Sequence, residues 1–304
     1  MPGAGQVRAI RDRIRSVENT AKVTKAMELV AASKMRRAQD RALSARPYAD
    51  EMRAVLARLA RSTDAGGGDA EGLHPLLQQR PVTHFAFIHI TANRGLAGGL
   101  NGNMNRAGAA LALEQQLHVE RVSVLPVGRK GRDFFRRAGF PELAEFTDLG
   151  DYPEVSDTLP ISRLIVDDYV RGEIDQVYIG FQQFMNTAVQ RPTLRQILPI
   201  EPPSGPEGEA AAAAAGGAVD FIFEPSPQSL LETLLPRYVE MQVYGAVLEA
   251  AASEQSARMV AMRAATDAAR DMVTDLTLTY NKARQELVTG DLLDIVGGTA
   301  AVER

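Results

Sequence analysis

The sequence predicts an α/β protein in which a long helix at each end of the chain flanks an inserted Rossmann-like α/β domain. Two observations predict the helices: apolar residues recur at every third or fourth position from Gln228 to Thr289, and again from residue 6 to about residue 61. A third predicts the domain, because strand-like and helix-like segments alternate between the helices. Each helix needs a partner for its apolar face, so we expect the two to form a long antiparallel coiled coil.

Changes in composition set the expected domain boundaries. The segments are an N-terminal coiled-coil helix at 1–62, a linker at 63–80, the inserted α/β domain at 81–224, and a C-terminal coiled-coil helix with an apolar tip at 225–304. The linker begins with the glycine-rich stretch from Thr63 to Gly72. Residues 202–218 are Pro, Gly, Glu and Ala apart from Ser204, which predicts a flexible insertion within the domain.

The N-terminal helix is basic, and its apolar stripe contains many small residues that allow close approach of a second helix. Pro47 falls inside the stripe and is expected to kink or locally break the helix. Residues 1–61 hold 14 Lys and Arg against 6 Asp and Glu, a net charge of +8, whereas the whole chain carries −4. A basic helix in an acidic protein indicates either an acidic partner or a solvated polar face.

The C-terminal stripe is the longer one, and its helix would extend for roughly 90 Å. A core of this size does not require such a helix, which therefore indicates a coiled coil or a shaft. Gln255 is the one polar member of the stripe. The helix is expected to stop at Gly297–Gly298, directly after an apolar tip. The tip consists of Leu292, Leu293, Ile295 and Val296.

Between the long helices the sequence predicts an α/β layer with a largely parallel sheet. The expected strands are His84–Ile90, Arg121–Val127 and Gln176–Gln182, with Pro192–Ile200 and Asp220–Glu224 as further candidates. The expected helices are Asn101–Leu117, Lys130–Ala138 and Ser156–Arg171.

Residue usage excludes several classes of site. The chain has no Cys, which excludes disulfides, thiolate catalysis and cysteine-based metal sites. His84 and His89 lie five residues apart in one strand, so they face opposite sides and are not expected to share a metal. Asp167 and Asp168 are expected on a solvated helix face. The sequence offers no catalytic constellation, no apolar run near the ~20 residues of a membrane span, and no apolar signal region, so we expect a mature cytosolic start.

The glycine-rich stretch from Thr91 to Asn103 is the most conspicuous candidate for a binding site. It follows a strand and precedes a helix, where phosphates bind in α/β folds. It lacks the Gly-Lys-Ser/Thr of a Walker A loop and is not a clean G-x-G-x-x-G. Two interpretations stay open: a nucleotide site, or a turn whose glycines permit tight packing or contact with another chain. Its candidate residues are Arg94, Gly95, Gly98 and Gly99.

The basic N-terminal helix is not expected to bind DNA. Basic-zipper helices separate the DNA-binding region from the dimer seam along the helix. Here Lys and Arg are interleaved with the apolar stripe over the whole length. The stretch from Glu28 to Arg37 therefore indicates a helix with one side buried and the other side meeting protein.

Five stretches are similar to one known family. They run from Ile14 to Thr20, Thr24 to Met35, Arg94 to Asn101, Ala252 to Met262 and Tyr280 to Gln285. In these stretches, and in the insertion of an α/β domain between two helices, the whole chain resembles the gamma subunits of F-type ATP synthases.

The chain departs from the family pattern at a few positions. Ala92-Asn93 replaces the usual Ser-Asp before Arg-Gly-Leu, and Ala97 replaces the usual Cys. The terminal Ile-Thr-x-Glu is Val288-Thr289-Gly290-Asp291, and the usual Gly-Ala is Gly298-Thr299. Gly290 is expected to weaken the helix by about 1 kcal/mol relative to Ala. Because the chain has no Cys, the redox control by a cysteine pair in chloroplast members is not available to it.

The resemblance implies a non-catalytic rotor shaft in the F1Fo ATP synthase. Such a shaft couples proton flow through the membrane sector to conformational cycling of the catalytic sites on the beta subunits. The hairpin would stand inside a ring of three alpha and three beta subunits, and its foot would join the epsilon subunit and the ring of c subunits. The resemblance implies no cofactor, no metal, no nucleic acid, and membrane contact only through the complex, on the cytoplasmic side of a bacterial plasma membrane.

The resemblance also assigns roles to individual residues. Arg284 and Gln285 would hydrogen-bond a loop of a beta subunit, and the apolar tip would turn in an apolar collar. Met27 and Arg258 would lie where both helices meet a beta subunit. The basic residues that would face the acidic lower lobe of beta are Lys34, Arg36 and Arg37. The alternative to this function is a coiled-coil scaffold with a nucleotide-sensing α/β domain.

Overall fold

The structure is a computed structural model that describes residues 4–64, 74–201 and 227–302. Its helices are α1 (Ala4–Asp64), α2 (Leu100–Gln115), α3 (Arg129–Ala138), α4 (Val155–Val170) and α5 (Pro227–Val302), with a short 3₁₀ helix at Pro75–Leu77. Its strands are β1 (His84–Ile90), β2 (Arg121–Val127), β3 (Gln176–Phe184) and β4 (Gln190–Leu198). The insertion predicted at 202–218 and the strand predicted at Asp220–Glu224 lie outside the described residues.

The chain packs into two compact units. The first unit consists of residues 1–31 and 258–304, and the second of residues 32–257. Both long helices therefore contribute to each unit. The domain boundaries expected from composition, at 62, 80 and 224, stay predictions.

The second unit contains a four-stranded sheet in the order β2-β1-β3-β4. β1 is parallel to both of its neighbours, with Phe87 opposite Val124 of β2 and Tyr178 of β3. Parallel neighbours require crossover connections, which the chain makes through its helices. β4 returns antiparallel beside β3, so the largely parallel sheet expected from the sequence has one antiparallel edge.

Helices cover both faces of β1, and all seven of its residues are buried. Because successive side chains alternate between faces, Ala86 and Ile88 join one core and Phe85 and Phe87 join the other. The larger core is formed with α1, α4 and α5. Its buried members from these helices include Met52, Leu56, Ile161, Ile165, Val239 and Val243. The smaller core is formed with α2 and α3 and contains Met104, Leu111 and Phe135.

In the first unit, α1 and α5 pair antiparallel. Contacts join Arg11 to Tyr280, Thr24 to Thr266, and Glu28 to Arg263, so the residue number falls on α5 as it rises on α1. Extending this register places Leu287 opposite Ala4, where α1 begins. The last turns of α5, to Val302, therefore run beyond the start of α1. This pairing and the mixed sheet confirm the fold class predicted from the sequence.

Two local predictions are wrong, and a third is wrong in part. α1 does not break at Pro47, because its further turns place Met52 and Leu56 in the larger core, whereas a kink there stays a prediction. α5 continues through Gly297–Gly298, since glycine costs a helix only about 1 kcal/mol per residue and does not by itself end one. Asp168 is 6% exposed rather than solvated, and its Oδ1 forms an ion pair with Arg171 one turn later.

Candidate functional site

A buried carboxylate links the two helices of the first unit. Glu28 is 4% exposed, and its Oε2 lies 3.0 Å from Lys25 Nζ on the same helix. Its Oε1 lies 3.0 Å from Arg263 Nε on α5. The hydrogen bond from Lys25 lowers the pKa of Glu28, with a further contribution from Arg263, although burial opposes the shift. The carboxylate is thus held ionised between two cations.

Two further polar contacts fix the register of the pair. The hydroxyls of Thr24 and Thr266 lie 2.7 Å apart, and Thr266, at 2% exposure, donates to Met262 O. Arg11 Nη2 donates to Tyr280 Oη over 2.5 Å, and its guanidinium carbon lies 5.4 Å from the ring centre. The hydrogen bond from Arg11 lowers the pKa of Tyr280. Side-chain contacts therefore set the alignment of the helices at separate levels.

The coupling residues expected in the first unit lie in two environments. Met27 is half-buried and Arg258 is 9% exposed. Arg284 and Gln285 are both exposed, one turn beyond Tyr280 on α5. The structure brings Met27 next to the Glu28 contact, whereas Arg284 and Gln285 are presented on the outer surface. Their roles toward a beta subunit stay predictions.

The three basic residues expected to face a beta subunit lie in the second unit. Lys34 Nζ lies 2.5 Å from Asp151 Oδ2. Arg37 donates to Tyr152 Oη over 3.4 Å and lies over its ring, with 5.7 Å from guanidinium carbon to ring centre. Arg36 is exposed. Two of the three residues predicted to face a beta subunit, Lys34 and Arg37, thus already contact side chains of their own chain.

The outer surface of the first unit carries many apolar side chains. All of these residues are more than 40% exposed. The set comprises Val23, Leu29, Val30, Val260, Met272, Leu278, Val288, Leu292, Leu293, Ile295 and Val296. The last four are the predicted tip, and they lie on the turns of α5 beyond the start of α1.

The glycine loop of the second unit joins β1 to α2. Arg94, Gly95, Gly98 and Gly99 are exposed, and Gly98 adopts a left-handed φ of 57°. A Cβ added at Gly95 would meet nothing within 4 Å, so tight packing within the chain does not require glycine there. Gly99 is the N-cap residue of α2 and provides no side-chain cap. These four residues thus lie on the surface of the loop.

Neither a metal site nor a membrane-spanning helix is found in the described ranges. No group of three or more His, Cys, Asp or Glu residues in those ranges is placed to hold a metal ion. None of the helices described combines the length and the apolar character that crossing a bilayer requires. His84 and His89 contact different partners, Ser123 and Asn105, as expected for side chains on opposite faces of β1.

Sequence reasoning missed the polar contacts between the helices. In the sequence, Glu28 is one residue of a stretch of mixed charge, and no local feature distinguishes Thr266. The available signal was position, because Thr24 belongs to the apolar stripe of α1 and Glu28 adjoins Met27 of the same stripe. A polar residue at or beside a helix seam is expected to find a partner across it.

Comparison with known proteins places the chain in a family. A family model described as ATP synthase matches residues 6–302. An ATP synthase gamma chain from Dehalococcoides mccartyi is 52% identical over 296 residues, which cover 97% of this chain and 99% of the relative. An ATP synthase gamma chain from Roseiflexus castenholzii is 47% identical over 298 residues, which cover 97% of this chain and 98% of the relative.

Solved structures share the fold. A chain of the Euglena gracilis mitochondrial ATP synthase, solved with OSCP, F1 and the c-ring, superposes with a TM-score of 0.66 at 18% identity, covering 99% of this chain and 95% of that one. A chain of the Tetrahymena thermophila mitochondrial ATP synthase central stalk and c-ring gives 0.59 at 24% identity, covering 80% and 99%. Sequence identity over nearly the full length and the matching family model together establish that the chain belongs to the ATP synthase gamma chain family.

Proposed function

We propose that the chain is the central rotor shaft of an F1Fo ATP synthase. It couples proton flow through the membrane sector to the conformational cycle of the beta catalytic sites, in either direction of ATP synthesis or hydrolysis. The chain itself performs no chemistry. Its partners are a hexamer of three alpha and three beta subunits, an epsilon subunit and the c-subunit ring.

The observation that carries this proposal is the surface of the first unit. Both paired helices expose apolar side chains, such as Val23, Leu278 and Leu292, and covering apolar surface with a partner is energetically favourable. A sleeve of surrounding subunits would cover these side chains. The turns of α5 beyond the start of α1 would then be the bearing, because Leu292, Leu293, Ile295 and Val296 are between 58% and 64% exposed.

Asymmetry explains how a shaft without catalytic residues drives catalysis. Two helices of unequal length present a different surface at each angle to three otherwise equal beta subunits. A binding partner shifts a conformational equilibrium only by its difference in affinity for the two states. Each shaft angle therefore favours a different set of open and closed catalytic sites. Rotation driven by protons forces release of ATP, and hydrolysis reverses the rotation.

Individual contacts follow from this arrangement. Arg284 and Gln285, exposed on α5, hydrogen-bond a loop of a beta subunit. Met27 and Arg258 transmit force where the helices meet beta. The basic side chains that meet the acidic lower lobe of beta are Lys34, Arg36 and Arg37. For Lys34 such a contact competes with the ion pair to Asp151, which is partly exposed and therefore exchangeable.

The location of the chain follows from its partners. As part of F1 it is peripheral to the membrane, and it reaches the membrane sector through the c-subunit ring. The cellular site is the cytoplasmic face of a bacterial plasma membrane. The inserted α/β domain, at 81–224 in the division expected from the sequence, joins the epsilon subunit and the c ring.

Purification of the complex tests the proposal. The affinity-tagged chain, expressed in its own organism, is expected to recover alpha and beta subunits at three copies each per copy of the chain, together with epsilon and c. Quantitative mass spectrometry measures the ratio. Recovery of the chain alone, or with unrelated proteins only, would favour a coiled-coil scaffold with a nucleotide-sensing domain and contradict the rotor.

A further inference from the structure

One face of α1 in the second unit carries a row of cations. Lys34, Arg37 and Arg41 follow one another at steps of three and four residues, so their side chains leave the helix on the same side. Residues 34–41 hold four cations and one carboxylate, Asp40. This stretch is therefore positively charged, although the whole chain carries −4.

The loop that precedes α4 packs against this face of α1. Asp151 Oδ2 lies 2.5 Å from Lys34 Nζ. The ring of Tyr152 contacts two guanidinium groups at once, since its centre is 5.7 Å from the guanidinium carbon of Arg37 and 5.3 Å from that of Arg41. A cation within about 6 Å of a ring centre is attracted to the face of the ring. One tyrosine thus restrains two arginines.

Tyr152 is held in place by contacts of its own loop. Pro153, the next residue, is buried. Glu154 N, directly before α4, donates to Asp157 Oδ2 over 2.8 Å. The side chain of Tyr152 itself is half-buried. The ring is therefore a fixed support for arginine side chains that would otherwise be free to move.

These contacts leave most donors of the arginines available to an acid. An aromatic ring attracts the flat face of a guanidinium, whereas the N–H groups that donate to carboxylates lie in its plane. Arg37 Nη1 uses one such donor, 3.4 Å from Tyr152 Oη. Among the described residues, no carboxylate forms an ion pair with Arg37 or Arg41. Lys34 is different, because Asp151 already neutralises its charge.

We propose that Tyr152 is a positioning residue for contact with an acidic partner surface. Its ring holds Arg37 and Arg41 with their donors unpaired, so binding does not have to order these long side chains. Because this role rests on the rotor function proposed above, the partner surface is the acidic lower lobe of beta. Arg41 is thereby added to the basic residues that meet beta.

Assembly from isolated subunits tests this role. The full-length chain is titrated into dilute alpha and beta subunits of the same organism, and the concentration that gives half-maximal assembly is measured. Tyr152→Leu is expected to raise this concentration by at least about fivefold, since the order of two long side chains is lost. Tyr152→Phe keeps the ring and is expected to restore assembly to within about twofold of the unchanged chain.

A double-mutant cycle separates positioning from a general effect on the fold. In a chain that already carries Arg37→Ala and Arg41→Ala, Tyr152→Leu is expected to have no further effect, because the ring has nothing left to position. Arg163→Ala, at an exposed position on α4, is the matched control for loss of an arginine and is expected to assemble like the unchanged chain. An equal effect of Tyr152→Leu with and without the two arginines would overturn the inference.

The remaining outcomes separate this inference from the rotor itself. A chain that assembles with alpha and beta equally well as Tyr152→Leu refutes the positioning role and leaves the rotor intact. A chain that does not assemble with alpha and beta at all refutes both. If Tyr152→Leu does not fold, Arg37→Lys with Arg41→Lys keeps both charges but loses the planar groups, and it is expected to weaken assembly at least about threefold. Unchanged assembly of that variant would likewise refute the positioning role.

Discussion

Glu28 of α1 and Arg263 of α5 form an ion pair across the first unit, with 3.0 Å between Oε1 and Nε. The Glu28 side chain is 6% exposed, whereas that of Arg263 is 62% exposed. The carboxylate is therefore the buried partner, and the cation reaches it from the surface. Because Lys25 also donates to it, removal of the Glu28 charge leaves two cations without their counter-charge.

Glu28→Gln is expected to lower the free energy of unfolding at pH 7 by about 1 kcal/mol, since both cations can return to water. Because the pKa of Glu28 is lowered, its charge contributes its full stabilisation above pH 4.5, the ordinary pKa of the group. That stabilisation is lost as the pH falls through the lowered pKa. Urea unfolding at pH 7 and pH 3 measures it. Glu18→Gln, exposed on the same helix, is the control. An equal loss at both pH values would contradict the ion pair.

His89 is expected to make the second unit sensitive to acid. Burial lowers its pKa from 6.5 to about 4, although the hydrogen bond with Asn105 opposes this. Between these values the unfolded chain binds a proton that the folded chain does not, so stability falls as pH falls from 6.5 to 4. The loss approaches about 3 kcal/mol. Urea unfolding from pH 7 to pH 4 measures it.

Two variants separate this effect from general acid unfolding. His89→Gln cannot take up the proton and is expected to lose about 3 kcal/mol less than the unchanged chain over this pH range. His118→Gln, at an exposed position after α2, is expected to follow the unchanged chain. Parallel curves for His89→Gln and the unchanged chain would contradict the burial of a neutral imidazole.

Gly108 on α2 is required by the aromatic packing of the smaller core. A Cβ there would lie 2.9 Å from both the His89 and Phe87 rings. Gly108→Ala is expected to destabilise by about 1–3 kcal/mol, since overpacked cores must shift. Gly102→Ala, on the same helix with nothing within 4 Å of the added Cβ, is expected to stabilise by up to about 1 kcal/mol. Thermal unfolding of both variants measures the difference, and equal effects would contradict this packing.

Variants of Arg284 and Gln285, the exposed pair on α5, distinguish a role in coupling from a role in holding the fold together. Arg284→Ala with Gln285→Ala is expected to change the free energy of unfolding by less than about 0.5 kcal/mol, because both side chains are exposed. In membranes carrying the assembled complex, ATP synthesis is expected to fall several-fold. Lys282→Ala, exposed on the same turn, is the control. Normal synthesis by the double variant would remove the proposed contact with beta.

The periodic patterns predicted the long elements well. The stripes of α1 and α5 gave the helices, because an apolar face at helical spacing must be buried. The alternating segments gave β1, β2 and β3 nearly to the residue, since their runs of apolar and β-branched residues are flanked by turns. The apolar periodicity and the strand-like runs each lie within a short stretch of sequence. They can be read without knowing which other element that stretch packs against.

Local rules failed where tertiary packing or weak preferences decided. Pro47 does not end α1, since the following turns bury Met52 and Leu56. The ion pair of Glu28 with Arg263 joins residues far apart in sequence, so the local pattern indicates a partner across the seam but not which residue it is. A cavity lined by Gln182 and Gln255 likewise needs the sheet and α5 together. In the sequence, Gln255 is the one polar residue of its apolar stripe, but the sequence alone does not explain why a polar residue lies there.

Direct observation of rotation tests the central claim. The chain has no Cys, so Leu117→Cys, at an 81% exposed position, gives a unique attachment point for a bead. In a complex with immobilised alpha and beta subunits, addition of ATP is expected to turn the bead in one direction in steps of about a third of a turn, since a shaft that selects among three equal sites has three preferred angles. A bead that stays fixed while the complex hydrolyses ATP would contradict the rotor.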